Sequence, residues 1–212
     1  MRLALVGVAL VALGGVIAAT IAARSGDDGP AAKVTEIQGA TAPAARFKGA
    51  VRPPGARAPD FSLSDQDGRL VRLRDLRGKI VVLSPMYTTC RDTCPLIAQQ
   101  IRAALDDLSS DQRADVVAYA LSVDPAHDTP ARAKHFLVSR HVNRHLDFLL
   151  GSPSELRPIW RGYGFAPQTV TREHNSYVVL IDRRGFQRIG FAVGFLTPEH
   201  LAHDIRLLAR ES

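Results

Sequence analysis

Apolar and polar residues alternate or run together in patterns that predict β-strands along the chain after residue 45. Alternation on both sides of the turn residues 65–68 predicts a hairpin formed by residues 61–63 and 70–73. Two unbroken runs rich in β-branched residues, 79–84 and 116–123, are typical of central strands that are buried on both faces. Shorter strand patterns cover residues 47–51, 146–150, 177–181 and 186–191, and the last two flank a turn at residues 182–185.

Apolar residues at helical spacing predict four helices, over residues 95–108, 130–139, 155–163 and 198–210. Ser152 or Ser154 is placed to cap the third helix, and Thr197 to cap the fourth. Parallel strands joined by helices, with an antiparallel pair at the far edge, predict an α/β fold. We expect a thioredoxin-like sandwich with a central mixed β-sheet, flanked by helices and carrying an extra N-terminal hairpin.

The N-terminal segment is apolar enough to cross a membrane. Residues 3–23 contain neither a charge nor a proline, and as a helix they would extend about 31 Å. Arg2 favours an N-terminus that stays in the cytoplasm. The segment is longer than the apolar part of most signal peptides, which favours an uncleaved transmembrane helix. Small residues at its end leave a cleaved signal peptide as the alternative, and both interpretations put the rest of the chain outside the cytoplasm.

Three regions follow from these patterns. Residues 1–24 form the membrane anchor or signal segment, and residues 25–45, rich in alanine, glycine and proline, form a flexible linker. Residues 46–212 form the folded domain, which is long enough to bury a core without disulfide support.

Composition and charge exclude two classes of protein. Hydrophobic residues make up 46% of the chain and charged residues 23%, which excludes wholesale disorder. The net charge of +6 is compatible with binding to nucleic acid. However, the arginines are scattered among aspartates instead of following one stripe, so we expect no nucleic-acid partner.

The chain has two cysteines, Cys90 and Cys94, and they precede Pro95 at the predicted start of the first helix. They are too few for a disulfide scaffold or a Cys₄ zinc site, and no Cys₂His₂ zinc spacing can be assembled from them. The positive end of the helix dipole lowers a thiol pKa and favours the thiolate, which attacks disulfides and binds metals. The pair therefore indicates redox chemistry or metal binding; a permanent structural disulfide and two buried thiols are the alternatives.

Two thiolates suit Cu(I), and a nitrogen ligand would extend the preference to Cu(II). His174 is the candidate nitrogen ligand, because it directly precedes a predicted strand whose loop can approach the cysteine loop. Two pairs of histidines also stand at helical spacing, and both are interpreted as part of the solvated surface: His141 with His145, and His200 with His203.

Several short motifs together resemble those of the Sco/SenC family of thioredoxin-fold copper chaperones for cytochrome c oxidase assembly. They are APDF at 58–61, DG at 67–68, LRGK at 76–79, TCRDTCP at 89–95, SVDP at 122–125, DTP at 128–130, and His174 eleven residues before Gly185. The resemblance extends from Phe47 to about Arg210.

The resemblance implies that Cys90, Cys94 and His174 bind copper, as Cu(I) or Cu(II). It also implies delivery to cytochrome c oxidase subunit II or a related copper-receiving protein, with a thiol reductant as a further partner and the N-terminal helix in the membrane. Family members are also linked to reduction of the disulfide at the subunit II copper site. The alternative is thus a metal-free thiol–disulfide oxidoreductase, so the chain is interpreted as a metallochaperone in which reductase activity is possible.

Further residues refine this interpretation. Arg91 stands where the family usually has proline, and its charge should lower the thiol pKa but disfavour a bound cation. Met86 could contact copper through its thioether, although a core methionine is favoured. Glu173 could orient His174. Asp128 or Thr129 is interpreted as the cap of the helix that begins at Pro130, with a role of Asp128 near the metal as the alternative.

Overall fold

The computed structural model describes residues 46–168 and 177–211. The predicted anchor at residues 1–24 and the predicted linker at residues 25–45 lie outside these ranges. Within the two ranges, no helix has the length and apolar character needed to span a membrane.

A six-stranded mixed sheet forms the centre of the domain, in the order β1-β8-β7-β4-β5-β6. The strands are β1 (Ala50–Val51), β4 (Ile80–Met86), β5 (Val116–Ser122), β6 (Asp147–Leu149), β7 (Tyr177–Ile181) and β8 (Gln187–Ala192). Strands β4, β5 and β6 are parallel to one another, whereas β7 is antiparallel to β4, β8 to β7, and β1 to β8. A separate two-stranded hairpin contains β2 (Ser62–Ser64) and β3 (Leu70–Arg72).

Five α-helices connect or follow these strands within the described ranges. They are α1 (Thr93–Asp106), α2 (Ser110–Ala114), α3 (Pro130–Ser139), α4 (Pro153–Tyr163) and α5 (Pro198–Ala209). Capping confirms two sequence predictions, because Ser152 caps α4 with a capping box and Thr197 caps α5. Helix α2 was not predicted, since it is a single short turn without buried residues and so has no apolar period.

The core lies on both faces of the sheet, as the alternation of strand side chains requires. On β4, Ile80, Val82 and Met86 contribute to an apolar cluster shared with α1, α3 and α5, which we call the helix-side cluster. Val81 and Leu83 contribute to a second cluster, shared with α4 and the β2–β3 hairpin. This layering confirms the predicted thioredoxin-like sandwich with its central mixed sheet and extra hairpin.

The interpretation of His141 and His145 as neighbours on one helical face is wrong. Helix α3 ends at Ser139, and His141 adopts a left-handed backbone conformation with φ of 56°. The chain turns there, so that His145 Nε2 lies 2.6 Å from a carboxylate oxygen of Asp106 at the end of α1. A turn at this point ends the helical periodicity that the i,i+4 spacing suggested.

Candidate metal centre

The cysteine loop leaves the sheet at the end of β4. Met86 pairs with Ser122, the last residue of β5, and the Val123 N–H donates to the Met86 carbonyl over 3.0 Å. Because β4 and β5 are parallel, the chain following each strand emerges at the same edge of the sheet, which we call the carboxyl edge. Ligands and cofactors of α/β proteins commonly bind at this edge.

Cys90 and Cys94 are joined by a hydrogen bond at the start of α1. Cys94 is the second residue of the helix, and its N–H donates to the Cys90 sulfur over 3.2 Å. The residue at the N-cap position, Asp92, makes no side-chain capping bond. The Cys90 sulfur therefore accepts from an N–H group that a capping side chain normally satisfies.

The two cysteines are buried thiols whose pKa values are shifted in opposite directions. Cys90 is 6% exposed and Cys94 is fully buried. The Cys94 thiol donates a hydrogen bond to the Cys90 sulfur, which lowers the pKa of Cys90 to about 6, although burial acts in the opposite direction. Donation to Cys90, together with burial, raises the pKa of Cys94. Cys90 is thus the more acidic thiol of the pair and the one that forms a thiolate more readily.

Asp128 fixes the cysteine loop against the end of β5. Its carboxylate accepts the Thr88 N–H and the Thr88 hydroxyl, each over 2.7 Å, and the Ser122 hydroxyl over 2.6 Å. The prediction that Asp128 or Thr129 caps α3 is confirmed for Thr129, which accepts from the Arg132 N–H, whereas Asp128 bonds to Thr88 and Ser122 instead. Burial raises the pKa of Asp128.

Sequence reasoning underestimated Asp128 and did not single out Tyr87. A side-chain hydrogen bond from Tyr87 further lowers the Cys90 pKa, and the Tyr87 carbonyl accepts the Cys90 N–H. The polar Ser122 at the end of an apolar strand was a signal for a buried polar network, although its partner could not be read from it. Met86 is fully buried in the helix-side cluster with both cysteines, which confirms its interpretation as a core residue.

His174 and Glu173 lie outside the described residues. The two residues that flank their segment both lie at the carboxyl edge: the Gln168 N–H donates to the Val123 carbonyl over 2.9 Å, and the Ser84 hydroxyl donates to the Tyr177 carbonyl over 3.1 Å. Within residues 46–168 and 177–211, no group of three or more histidine, cysteine or acidic side chains is arranged to hold a metal ion.

Comparison with known proteins gives a family match over most of this domain. The SCO1/SenC family model matches residues 50–210. A relative from Arabidopsis thaliana, the mitochondrial protein SCO1 homolog 1, is 33% identical over 119 residues, which cover 56% of this chain and 35% of the relative. This chain spans between 35% and 64% of the length of the first curated relatives that it matches.

Two solved structures with copper bound are similar to this chain. ScoI from Bradyrhizobium japonicum is 31% identical, with a TM-score of 0.58 and coverage of 72% of this chain and 99% of that protein. ScoI from Arabidopsis thaliana is 26% identical, with a TM-score of 0.66 and coverage of 74% and 100%. Given the family match across the sheet, the helices and the cysteine loop, this chain belongs to the SCO1/SenC family.

Proposed function

We propose that this chain is an extracytoplasmic copper metallochaperone. It binds copper through Cys90, Cys94 and His174 and delivers it to the copper site of cytochrome c oxidase subunit II or a related copper-receiving protein. The observation that carries the proposal is the cysteine pair at the start of α1, where the Cys94 N–H donates to the Cys90 sulfur over 3.2 Å. Copper in two related structures supports the same conclusion.

The donor set suits copper as a cargo that is taken up and released. Thiolates are soft ligands that prefer Cu(I), and an imidazole nitrogen makes the site suitable for Cu(II) as well. The lowered pKa of Cys90 favours its thiolate, whereas the raised pKa of Cys94 means that this residue must lose its proton when the metal enters. Asp128 holds Thr88 in place two residues before Cys90, which limits the rearrangement that binding requires.

The positions of Gln168 and Tyr177, which flank residues 169–176, support the inclusion of His174 among the copper ligands. Gln168 and Tyr177 are both bonded at the carboxyl edge, the edge from which the cysteine loop emerges. His174 precedes Tyr177 by three residues, and three residues of extended chain span about 10 Å. This reach is sufficient for an imidazole to serve a site at that edge.

Copper titration of the reduced full-length chain tests the proposal. We expect one tightly bound copper per chain and, with Cu(II), a thiolate-to-copper charge-transfer band. The double variant Cys90→Ser/Cys94→Ser should lose the tight site, and His174→Ala should weaken both affinity and band. His141→Ala is a suitable control, because His141 is exposed in the turn after α3. An unchanged copper stoichiometry in the double variant would contradict the proposal.

A metal-free thiol–disulfide oxidoreductase is the second candidate, and the lowered pKa of Cys90 favours it. In that reaction the Cys90 thiolate attacks one sulfur of a partner disulfide, forming a mixed disulfide and releasing the other partner sulfur as a thiolate. Cys94 then gives up its proton and attacks the Cys90 sulfur. The products are a Cys90–Cys94 disulfide and a fully reduced partner, and an external thiol reductant regenerates the pair.

The two candidates respond differently to a copper chelator. Reduction of the oxidised subunit II copper domain by this chain, at an undiminished rate with chelator present, would support the oxidoreductase. Strict dependence of all activity on bound copper would support the metallochaperone.

A further inference from the structure

One aromatic side chain is strongly exposed beside the carboxyl edge. Phe195 follows β8 and is 74% exposed, the largest value among the large hydrophobic side chains of the described ranges. The other large exposed hydrophobic side chains there are aliphatic: Val51, Leu70, Leu96 and Val138. An aromatic side chain left in water forgoes a large gain from burial, so its position calls for an explanation.

The backbone around Phe195 is held in place. Val193–Phe195 form a 3₁₀ turn, in which the Leu196 N–H donates to the carbonyls of Ala192 and Val193. Val193 packs against the helix-side cluster, and Leu196 is itself buried within that cluster. Immediately afterwards Thr197 caps α5. The exposure of Phe195 is therefore a property of the fold, since its neighbours on both sides are anchored.

Phe195 lies at the same edge of the sheet as the cysteine loop. Strand β8 is antiparallel to β7, and β7 is antiparallel to β4, so β4 and β8 run in the same direction and both end at the carboxyl edge. Helices α1 and α5 begin after these two strands and pack side by side against the same cluster.

Leu96 is a second exposed apolar side chain beside the carboxyl edge. It is the fourth residue of α1, which begins after β4, and it is 51% exposed. Phe195 comes three residues after the end of β8, at the same edge. Arg206 on α5 lies 2.8 Å from the carboxylate of Asp107, the residue after α1, so the two helices are also joined at their far ends. We call Phe195 and Leu96 the rim patch.

We propose that the rim patch is the docking surface for the copper-receiving protein, with Phe195 as its anchor; this inference rests on the proposed copper-delivery function. Transfer by ligand exchange requires donor and recipient ligands to contact the same ion. Both cysteines are buried, so the recipient must cover the carboxyl edge to reach them. The rim patch borders that edge and offers an apolar contact for the surface around the recipient's metal-binding loop. Aromatic side chains, phenylalanine among them, are enriched in the cores of protein interfaces.

Copper transfer from the loaded full-length chain, in detergent, to the metal-free reduced copper domain of subunit II tests this inference. The rate is measured as a function of recipient concentration. We expect Phe195→Ala to raise the half-saturating recipient concentration about tenfold, as for a moderate interface hot spot, and Leu96→Ala to raise it about threefold. The maximal rate and the copper stoichiometry should stay unchanged, because neither side chain is a ligand.

Val138→Ala is the matched control for Leu96→Ala. Val138 is 57% exposed and is the second-last residue of α3. Helix α3 begins after β5 and runs back toward the start of the parallel strand β6, so its end lies away from the carboxyl edge. Val138→Ala should therefore leave transfer unchanged, and unaltered thermal unfolding of all three variants would exclude a folding defect.

The outcomes separate the docking inference from the copper proposal. Normal transfer by Phe195→Ala from a chain that binds copper would overturn the rim patch and leave the copper proposal intact. If the unsubstituted chain bound no copper, the copper proposal would fail. Calorimetric binding of the metal-free chain to the recipient would then decide the docking question: weaker binding of Phe195→Ala would support the patch, and equal binding would overturn it.

Discussion

Cys90 and Cys94 carry identical side chains but hold opposite positions in one hydrogen-bonded pair. The Cys90 sulfur accepts hydrogen bonds from the Cys94 thiol and from the Cys94 N–H. The Cys94 thiol is fully buried and acts as the hydrogen-bond donor. This asymmetry makes Cys90 the more acidic thiol of the pair. Either function proposed above needs a thiolate, as the first copper ligand or as the attacking sulfur.

The pH titration of the reduced, metal-free chain should show this asymmetry. A lowered pKa means that Cys90 loses its proton at lower pH, so thiolate absorbance should rise with a midpoint near pH 6. An unperturbed cysteine would titrate near pH 8.5. In Cys94→Ala the donated hydrogen bond is lost, and the midpoint should move upward. Cys90→Ser should lack the step altogether, and a first midpoint near 8.5 in the unsubstituted chain would contradict the assignment.

Asp128 is a second residue whose role is positional. Asp128→Ala would leave the Thr88 N–H and two hydroxyl groups without their acceptor, and we expect the free energy of unfolding to fall by about 2–4 kcal/mol. Urea denaturation measures this loss. Asp124→Ala removes only the pairing with His127, an exposed side chain, and should cost less than about 1 kcal/mol. Equal losses in the two variants would argue against the network.

Among the helices, α1 begins in an unusual way. In α4 and α5, serine or threonine oxygens accept the N–H groups of the first turn, whereas at α1 this part is taken by the Cys90 sulfur. Copper binding or disulfide formation would engage the same sulfur. The chemistry at the site is thus coupled to the start of the helix.

Substitutions of Cys90 should reveal this coupling through stability. Cys90→Ser keeps an acceptor for the Cys94 N–H, whereas Cys90→Ala removes it. We expect Cys90→Ala to be less stable than Cys90→Ser by about 1 kcal/mol, the usual worth of a capping side chain, when the metal-free reduced variants are compared by urea denaturation. Ser152→Ala, which removes the cap of α4, provides the reference for a conventional cap. Identical stability of the two Cys90 variants would show that the sulfur does not act as a cap.

For the whole molecule, the predicted division into anchor, linker and domain is open to a direct test. If residues 3–23 are an uncleaved anchor, the mature protein should be recovered with membranes and retain its N-terminal segment by mass spectrometry. A cleaved signal peptide predicts a shortened, membrane-free form instead.

The same division predicts that the folded domain is independent of the N-terminal segment. A fragment of residues 46–212 should unfold in a single cooperative transition and bind as much copper as the full chain, because both core clusters lie within it. A broad, non-cooperative transition would place the domain boundary elsewhere.

Much of this domain could be predicted from local patterns. The β-branched runs of β4 and β5, the periodicity of α1 and α3, and the cap at Thr197 depend on neighbours within a few residues. The cysteine pair was recognisable for the same reason, because its spacing and the following proline are a local feature. These elements appear in the structure within a few residues of their predicted bounds.

Contacts between distant parts of the chain could not be predicted in this way. Asp128 reaches Thr88 across 40 positions, and the Arg206–Asp107 pair, which joins α5 to the residue after α1, spans 99. Nothing in either local sequence specifies the partner. The sequence by itself therefore determined the elements, the cysteine pair and the family resemblance, because these arise from short-range geometry and chemistry. Only the tertiary structure decided which side chains meet at the carboxyl edge, because that depends on strand order and helix packing.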